Sequence, residues 1–281
     1  MNRVTCRFLV FMGGVASATL VASAFGQAAA SASLTGHRAI YNLTLAQSRG
    51  KQSMESVRGR ILYDFSGSAC EGYTLNFRQV TELDSGEGKR AVSDLRSSHW
   101  EAGDGSSFRF ATQNFLDGQQ VDNSEGGAER KGDDITIALT KPEHKRIEAS
   151  NVVFPSDHIR RIIIAARAGK PLLEIGAYDG SENGEKIYNT LTVIGRPITL
   201  QEQKPDDAAA EQRRLDGVTR WPVTVSYFDR AKQTGDQTPA YAITFELYEN
   251  GIARAIKLDY GDFVLDGQLS TLEIKEAAPC R

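Results

Sequence analysis

Alternation of apolar and polar side chains is the sequence feature that most limits what this chain can fold into. It is clearest over residues 57–77, in two runs with apolar residues at alternate positions. These residues are Val57, Ile61, Tyr63 and Phe65 in the first run and Tyr73, Leu75 and Phe77 in the second. Successive side chains of a β-strand point to opposite faces, so the pattern predicts two half-buried strands. The small residues 66–72 between the runs predict an antiparallel hairpin with Cys70 at its tip.

Similar patterns recur through most of the chain after residue 36, and Asn250-Gly251 is a dipeptide typical of hairpin turns. Residues 117–134 are rich in Gly, Asn, Asp and Glu, which predicts turns, short edge strands or a projecting hairpin. No change of composition divides the chain, and no repeat of a solenoid or propeller is present. The sequence therefore predicts one mainly β domain with a curved or partly closed antiparallel sheet that shields its edges.

One helix, at about residues 156–168, interrupts the β pattern. Ser156 is a suitable N-cap, and Gly169 followed by Pro171 ends the helix. An apolar stripe at helical spacing consists of Ile159, Ile162, Ile163 and Ala166. Another face carries Arg160, Arg161, Ile164 and Arg167. A solvated face is the favoured interpretation, an anion site is the alternative, and an exposed Ile164 would indicate a surface that meets a partner.

The first thirty residues have the pattern of a secretory signal peptide. Arg3 and Arg7 precede an apolar stretch from Phe8 to Leu20, and small residues suited to cleavage follow. A membrane anchor, the alternative, needs about 20 apolar residues, and this run is shorter. We expect cleavage between about residues 24 and 31, which leaves residues 31–281 as a single exported domain that is not membrane-anchored.

The charge of the exported domain argues against two classes of partner. Removing Arg3 and Arg7 from the 33 basic residues leaves 31 against 36 acidic ones, a net charge of −5. A moderately acidic chain without a basic cluster is unsuited to nucleic acid. The same charge disfavours electrostatic docking on anionic lipid headgroups.

Two cysteines, Cys70 and Cys280, remain after the leader is removed. Thiols pair in the oxidising compartments to which exported proteins go, so a disulfide between them is predicted. The alternative is two unrelated buried cysteines. No Cys-x-x-Cys motif is present, which favours a structural bond over a redox centre.

No motif for catalysis, a cofactor or a metal is found. The four histidines, His37, His99, His144 and His158, have no metal-ligand spacing. Residues 179–184 resemble the start of a calcium loop, but its twelfth position is Thr190 instead of an acidic residue, so a tight turn is favoured. No Gly-x-Ser-x-Gly elbow and no glycine-rich phosphate loop occurs. We therefore predict no catalytic, cofactor-binding or metal-binding residues and no cofactor.

Several short segments, taken in order, resemble the EipB-type periplasmic cell-envelope integrity proteins. After the leader these segments are Tyr41-Asn42-Leu43, the hairpin cysteine Cys70, residues 154–166, residues 178–188 and the penultimate Cys280. The resemblance implies a single-domain β-spiral that forms a cup, closed by a disulfide between Cys70 and Cys280. It also implies a periplasmic role in envelope integrity without an established enzymatic activity.

The expected function follows from this resemblance and from the curved sheet. We expect a soluble periplasmic protein that binds a lipidic or peptide ligand non-covalently, or an envelope partner such as a lipid, a lipoprotein or a periplasmic protein. The alternatives are a periplasmic hydrolase whose site assembles only in three dimensions and a structural partner of an envelope assembly complex. An apolar concavity would favour binding. Paired carboxylates or a Ser–His contact would favour the enzyme, and a flat apolar patch would favour a protein partner.

Overall fold

Fifteen strands and one α-helix make up most of the described chain. A computed structural model describes residues 32–49, 54–86, 88–199, 205–210, 213–232 and 238–276. The strands are β1 His37–Ser48, β2 Ser56–Ser68, β3 Gly72–Asp84, β4 Arg90–Glu101, β5 Ser107–Leu116, β6 Gln119–Lys131, β7 Asp134–Lys141, β8 Lys145–Ser150, β9 Val152–Val153, β10 Leu172–Ala177, β11 Tyr188–Ile194, β12 Arg220–Asp229, β13 Tyr241–Tyr248, β14 Ala253–Asp259 and β15 Phe263–Ile274. The helix α1 spans Pro155–Arg167. Short 3-10 turns lie at Glu182–Gly184, Ala208–Ala210 and Arg213–Leu215.

All fifteen strands belong to one sheet, whose order is β8-β7-β6-β5-β4-β3-β2-β1-β15-β14-β13-β12-β11-β10-β9. It consists of two antiparallel meanders, β1–β8 and β10–β15, which are joined where β1 pairs with β15. β9 pairs with β10 in parallel. The predicted single, mainly β fold with a curved antiparallel sheet is confirmed.

The two edges of the sheet lie side by side. Ser150 ends β8 at one edge and Val152 begins β9 at the other, with one residue between them. A buried apolar cluster then joins the two sides, since Phe108 on β5 stacks on Phe154 with ring centroids 5.1 Å apart. The sheet is thus nearly closed, which protects its edges from pairing with other chains.

The helix α1 lies against the inner face of the sheet, at one end. Ile162 and Ile163 are fully buried and share an apolar cluster with Tyr73 on β3 and Trp221 on β12. Each such isoleucine stabilises the fold by about 1.5–3 kcal/mol relative to an exposed one. The loop between β4 and β5 lies at the same end, because the carbonyl of Gly103 accepts a hydrogen bond from Nη1 of Arg160 at 2.8 Å. We call this the helix end.

Two local expectations were wrong. Residues 119–131 form the long strand β6, between β5 and β7, where turns or edge strands were expected. Phe154, and not Ser156, occupies the N-cap of α1, and its side chain makes no capping bond. Small residues such as Ser124 and Gly126 give β6 a weak apolar pattern, although they face the interior.

Candidate functional site

The inner face of β3 and β4 forms one wall of a recess inside the sheet. The wall residues are Leu75, Phe77 and Gln79 on β3 and their partners His99, Ser97 and Leu95 on β4. They share the inner face with Tyr73 and Glu101, which are each only 2% exposed near α1. The six wall residues are all partly exposed. The inner face is therefore buried at the helix end and carries partly exposed side chains further along β3 and β4.

The second wall is made by β12 and β13. Tyr227 pairs with Tyr241, and their rings stack with centroids 4.4 Å apart. The ring of Tyr188 on β11 contacts both edge-on at 5.6 Å. Tyr227, Tyr241 and the neighbouring Ile243 are partly exposed, whereas Val225 beside them is buried. This wall is thus aromatic and aliphatic, as expected of a surface that contacts an apolar ligand.

The pKa values of the wall side chains reflect their burial. Burial raises the pKa of Tyr227 and of Tyr241, and burial lowers the pKa of His99 to about 4. All three side chains nevertheless retain accessible surface. From side chains that are enclosed by protein and still partly accessible we infer a concavity between the two walls described above, which we call the inner concavity.

The loop between β10 and β11 places a carboxylate beside both walls. Gly180 has φ +73°, and a Cβ there would lie 2.4 Å from Cγ of Phe110, so a glycine is required. The adjacent Asp179 raises the pKa of Tyr227 in the second wall. It also opposes the effect of burial on the pKa of His99 in the first wall. Asp179 therefore places an acidic group near both walls of the inner concavity.

A serine and a histidine meet within the first wall. Oγ of Ser97 lies 2.6 Å from Nε2 of His99 and 2.9 Å from Oγ1 of Thr112. Nδ1 of His99 is buried and has no hydrogen-bond partner among the described residues. In a catalytic triad, an acceptor on that nitrogen orients the imidazole and stabilises its charged form. The Ser97–His99 contact thus has one element of a hydrolytic site and lacks the hydrogen bond that would make the histidine an effective base.

Glu101 fixes the position of α1 beneath the inner concavity. Its Oε2 accepts a hydrogen bond from the backbone N–H of Ser156 at 2.6 Å, and its Oε1 accepts one from Asp157 at 2.9 Å. Helix N-termini have unsatisfied N–H groups and a positive dipole end, so a carboxylate stabilises them. Burial raises the pKa of Glu101 to about 7. The carboxyl group thus performs the capping that the sequence suggested for the side chain of Ser156.

The structure does not bring the four histidines together at a metal site. His37 lies on β1, His99 in the inner concavity, and His158 on α1, where its Nε2 is 3.3 Å from Oγ1 of Thr190. His144 is exposed. Across the described ranges, no group of three or more histidine, cysteine or acidic residues could hold a metal ion.

The arginine face of α1 is ion-paired. Arg160 and Arg161 both contact Asp157, at 3.2 and 3.0 Å, and Arg167 contacts Glu249 at 2.7 Å. Arg161, whose side chain is 51% exposed, agrees with the predicted solvated face, whereas Arg160 is only 15% exposed and lies against the loop between β4 and β5. Ile164, on the same face, is 42% exposed, so the condition stated for a partner surface is met.

Comparison with known proteins gives the family. A model described as EipB-like matches residues 28–276. This chain belongs to the EipB-like family. The chain is 37% identical over 272 residues to the cell envelope integrity protein EipB of Brucella abortus (strain 2308), an alignment that covers 95% of each chain. It is also similar to a crystal structure of a beta-barrel-like protein of domain of unknown function DUF1849 from Brucella abortus, with TM-score 0.79 and 36% identity over 86% of this chain and 99% of that one.

The structure of this EipB-like chain shows the position of one of the two cysteines in the predicted disulfide. Cys70 lies in the loop between β2 and β3, as the hairpin pattern predicted. Cys280 lies outside the described residues, as does the predicted signal peptide at 1–30. The bond and the leader therefore stay predictions. Among the described residues, no helix has both the length and the hydropathy that a membrane span requires.

The sequence did not predict the polar residues of the inner concavity. Ser97 and His99 occupy inner positions of β4, where alternation normally places apolar groups, and this departure was the available signal. Glu101, two residues after His99, is a third polar side chain at an inner position of β4. Asp179 was recognised as a turn residue, and its proximity to His99 and Tyr227 depends on the three-dimensional fold.

Proposed function

We propose that this protein acts in the periplasm and supports the integrity of the cell envelope by holding the acyl chain of a lipid or lipoprotein in the inner concavity. The observation that carries the proposal is the set of enclosed but accessible apolar side chains on its two walls. The cell envelope integrity protein EipB, which is 37% identical, supports the envelope role by its name. A peptide ligand or a protein partner in the same concavity is the alternative occupant.

The chemistry of the walls suits an acyl chain. Phe77 on one side and Ile243 on the other pack against the apolar core, and Leu95 and Tyr241 beside them are uncharged. Each methylene group that leaves water for such a surface contributes about 0.8 kcal/mol. The hydroxyl and imidazole groups of the first wall offer hydrogen bonds to an ester or carboxyl end. Binding of this kind needs no covalent step and no cofactor.

Substitutions on the two faces of β4 test the proposal. Leu95 faces the inner concavity, whereas Val92 on the same strand is 43% exposed on the outer face. The affinity of the protein for a fluorescent fatty acid should fall at least tenfold in Leu95→Asp and stay unchanged in Val92→Asp. Native mass spectrometry of protein purified from its own periplasm should show a bound lipid. Absence of bound fatty acid in the unmodified protein, or equal loss in both variants, would overturn the proposal.

In this proposal the protein binds its ligand without catalysing a reaction. The reactivity of Ser97 tests that part of the proposal. Since Nδ1 of His99 lacks an acceptor among the described residues, Ser97 should remain unlabelled by a fluorophosphonate probe. Labelling that disappears in Ser97→Ala would favour the hydrolase instead.

Localisation is tested separately. The leader predicts release of the protein by osmotic shock, with a new N-terminus between about residues 24 and 31. An intact N-terminus in the cytoplasm would contradict the periplasmic assignment.

A further inference from the structure

A groove lies at the seam where the two edges of the sheet meet. Its volume is about 870 Å³. It runs between α1, the first half of β10 and the segment from Asn151 to Val153, and its lining includes Ile164 and Leu173. We call it the seam groove. It is lined by a different set of residues from the walls of the inner concavity.

One side of the seam groove is an unpaired strand edge. β9 has only two residues and pairs with Gly176 and Ala177 of β10, so residues 172–175 pair with β11 alone. The N–H of Ile194 on β11 donates to the carbonyl of Pro171 at 2.8 Å. Hydrogen-bonded pairs in an antiparallel ladder alternate. The backbone groups of Leu172 and Glu174 therefore point away from β11, towards the groove.

These backbone groups are available in the part of the chain that the structure describes. No backbone bond from another described segment reaches Leu172 or Glu174. The free edge is four residues long, which corresponds to about 13 Å of extended chain. Natural proteins usually cover or charge such edges, because they add further strands readily.

The charge around the seam groove is mainly positive. Its basic lining residues are Arg130, Arg161, Lys170 and Arg230, and its acidic ones are Asp133 and Glu174. Nη2 of Arg130 is buried and has no hydrogen-bond partner among the described residues. The guanidinium of Arg130 lies 4.9 Å from the ring centroid of Phe154, which holds it in place. The groove therefore has a fixed cation in its lining.

We propose that the seam groove binds an extended acidic peptide segment of another envelope protein, which adds as a strand to residues 172–175 of β10. Backbone hydrogen bonds to Leu172 and Glu174 supply affinity, as in other cases of β-strand addition. Ile164 and Leu173 contact apolar side chains of the peptide, and a carboxylate of the peptide pairs with the guanidinium of Arg130. The proposal is independent of a ligand in the inner concavity.

Synthetic peptides test the proposal, because the natural partner is unidentified. The probes are fluorescent eight-residue peptides in which Val or Leu alternates with Glu, with Gln or with Lys. We expect the Glu peptides to bind at least tenfold more tightly than the Lys peptides in fluorescence anisotropy. Methylation of alternate backbone nitrogens in the best Glu peptide should abolish binding, since it removes the donors that strand addition needs.

Variants of the protein distinguish the contribution of the backbone edge to peptide binding from the contribution of the side chains. Glu174→Pro removes an N–H that faces the groove, a change that an edge strand tolerates, and should reduce peptide binding at least tenfold. Glu174→Ala, which keeps that N–H, should bind at least as tightly as the unmodified protein. Arg130→Gln should remove the preference for Glu over Gln peptides. Circular dichroism checks that all three variants fold.

Three results would overturn the proposal. The first is equal binding of methylated and unmethylated peptides. The second is binding to phosphatidylglycerol vesicles without binding to any peptide, which would indicate a lipid headgroup site. The third is a dimer in sedimentation that Glu174→Pro dissociates, which would show that a second copy of this chain occupies the edge.

Discussion

Single residues far apart in sequence hold the interior of this protein together, and Glu101 is the clearest example. It accepts two hydrogen bonds from the start of α1, 55 and 56 residues further along the chain. Replacement by alanine leaves the buried N–H of Ser156 and the partly buried N–H of Asp157 without an acceptor, and one unsatisfied buried group costs about 1–3 kcal/mol. We expect Glu101→Ala to lower the free energy of unfolding by about 2–4 kcal/mol, and Ser156→Ala, which loses only the hydroxyl's hydrogen bond to Glu101, by about 1 kcal/mol. Urea denaturation measures both, and an equal cost would show that Glu101 is not the main cap.

The buried His158 makes stability depend on pH. Burial lowers its pKa to about 4, from an unfolded value of about 6.5. The folded state therefore favours the neutral ring, so this contribution is complete above pH 6.5 and is lost as the pH falls towards 4. Relative to His158→Gln, the unmodified protein should lose stability progressively over that range.

The comparison with His158→Gln is necessary because the titration of Glu101 changes the free energy of unfolding in the opposite direction. Burial raises its pKa to about 7, so its contribution decreases as the pH rises from about 4.5 to 7. That effect is common to both proteins and cancels in the difference between their urea unfolding curves. Curves that stay parallel between pH 7 and 4.5 would contradict the assignment to His158.

At the scale of elements, alternation and helical periodicity located most strands and the helix. The predicted helix at 156–168 is Pro155–Arg167 in the structure, because its apolar stripe and its Gly169 stop are local signals. β6 was missed because its inner positions include Ser124, Gly126 and Ala128, which fit beneath the bulky side chains of β5 and β7. Residue size there is set by neighbouring strands, and a local pattern contains no information about them.

The helix α1 has a buried isoleucine and an exposed isoleucine, so substitution of the second is a matched control for substitution of the first. Ile162 is fully buried between strands of both meanders, whereas Ile164, two residues further on, is 42% exposed. Ile162→Ala should cost about 2–5 kcal/mol, since it leaves a cavity in a well-packed core. Ile164→Ala should change the free energy of unfolding by less than about 0.5 kcal/mol. A large loss in Ile164→Ala, measured by urea denaturation, would mean that this face is covered in solution.

At the scale of the whole molecule, the order of the strands is the property that the sequence revealed least. β1 pairs with β15, about 220 residues later, and β9 with α1 connects the two sheet edges. Such pairings depend on which apolar faces meet after the chain collapses, and many registers satisfy the same alternation. The resemblance to a family supplied the cup-like architecture, and the residues alone indicated only a curved or partly closed sheet.

The last prediction concerns the covalent closure of this sheet. The described chain ends at Glu276, which lines a cleft of about 410 Å³ together with Glu71, the neighbour of Cys70. Nearby, the N–H of Lys275 donates to the carbonyl of Gly36 at 2.8 Å, and its side chain pairs with Asp64. Four residues of extended chain reach about 13 Å, so the tail that carries Cys280 starts close to its predicted partner.

A bond between Cys70 and Cys280 closes a loop of 210 residues, for which chain entropy gives at most about 5 kcal/mol. Cys70→Ser and Cys280→Ser should each lower the thermal midpoint and raise protease sensitivity. The double variant should be no less stable than either single variant, because all three lose the same bond. Thiol labelling of the native oxidised protein should find neither cysteine reactive. Labelling of both, or additive losses in the double variant, would show that the two cysteines contribute independently and that the sheet is held closed by its strands alone.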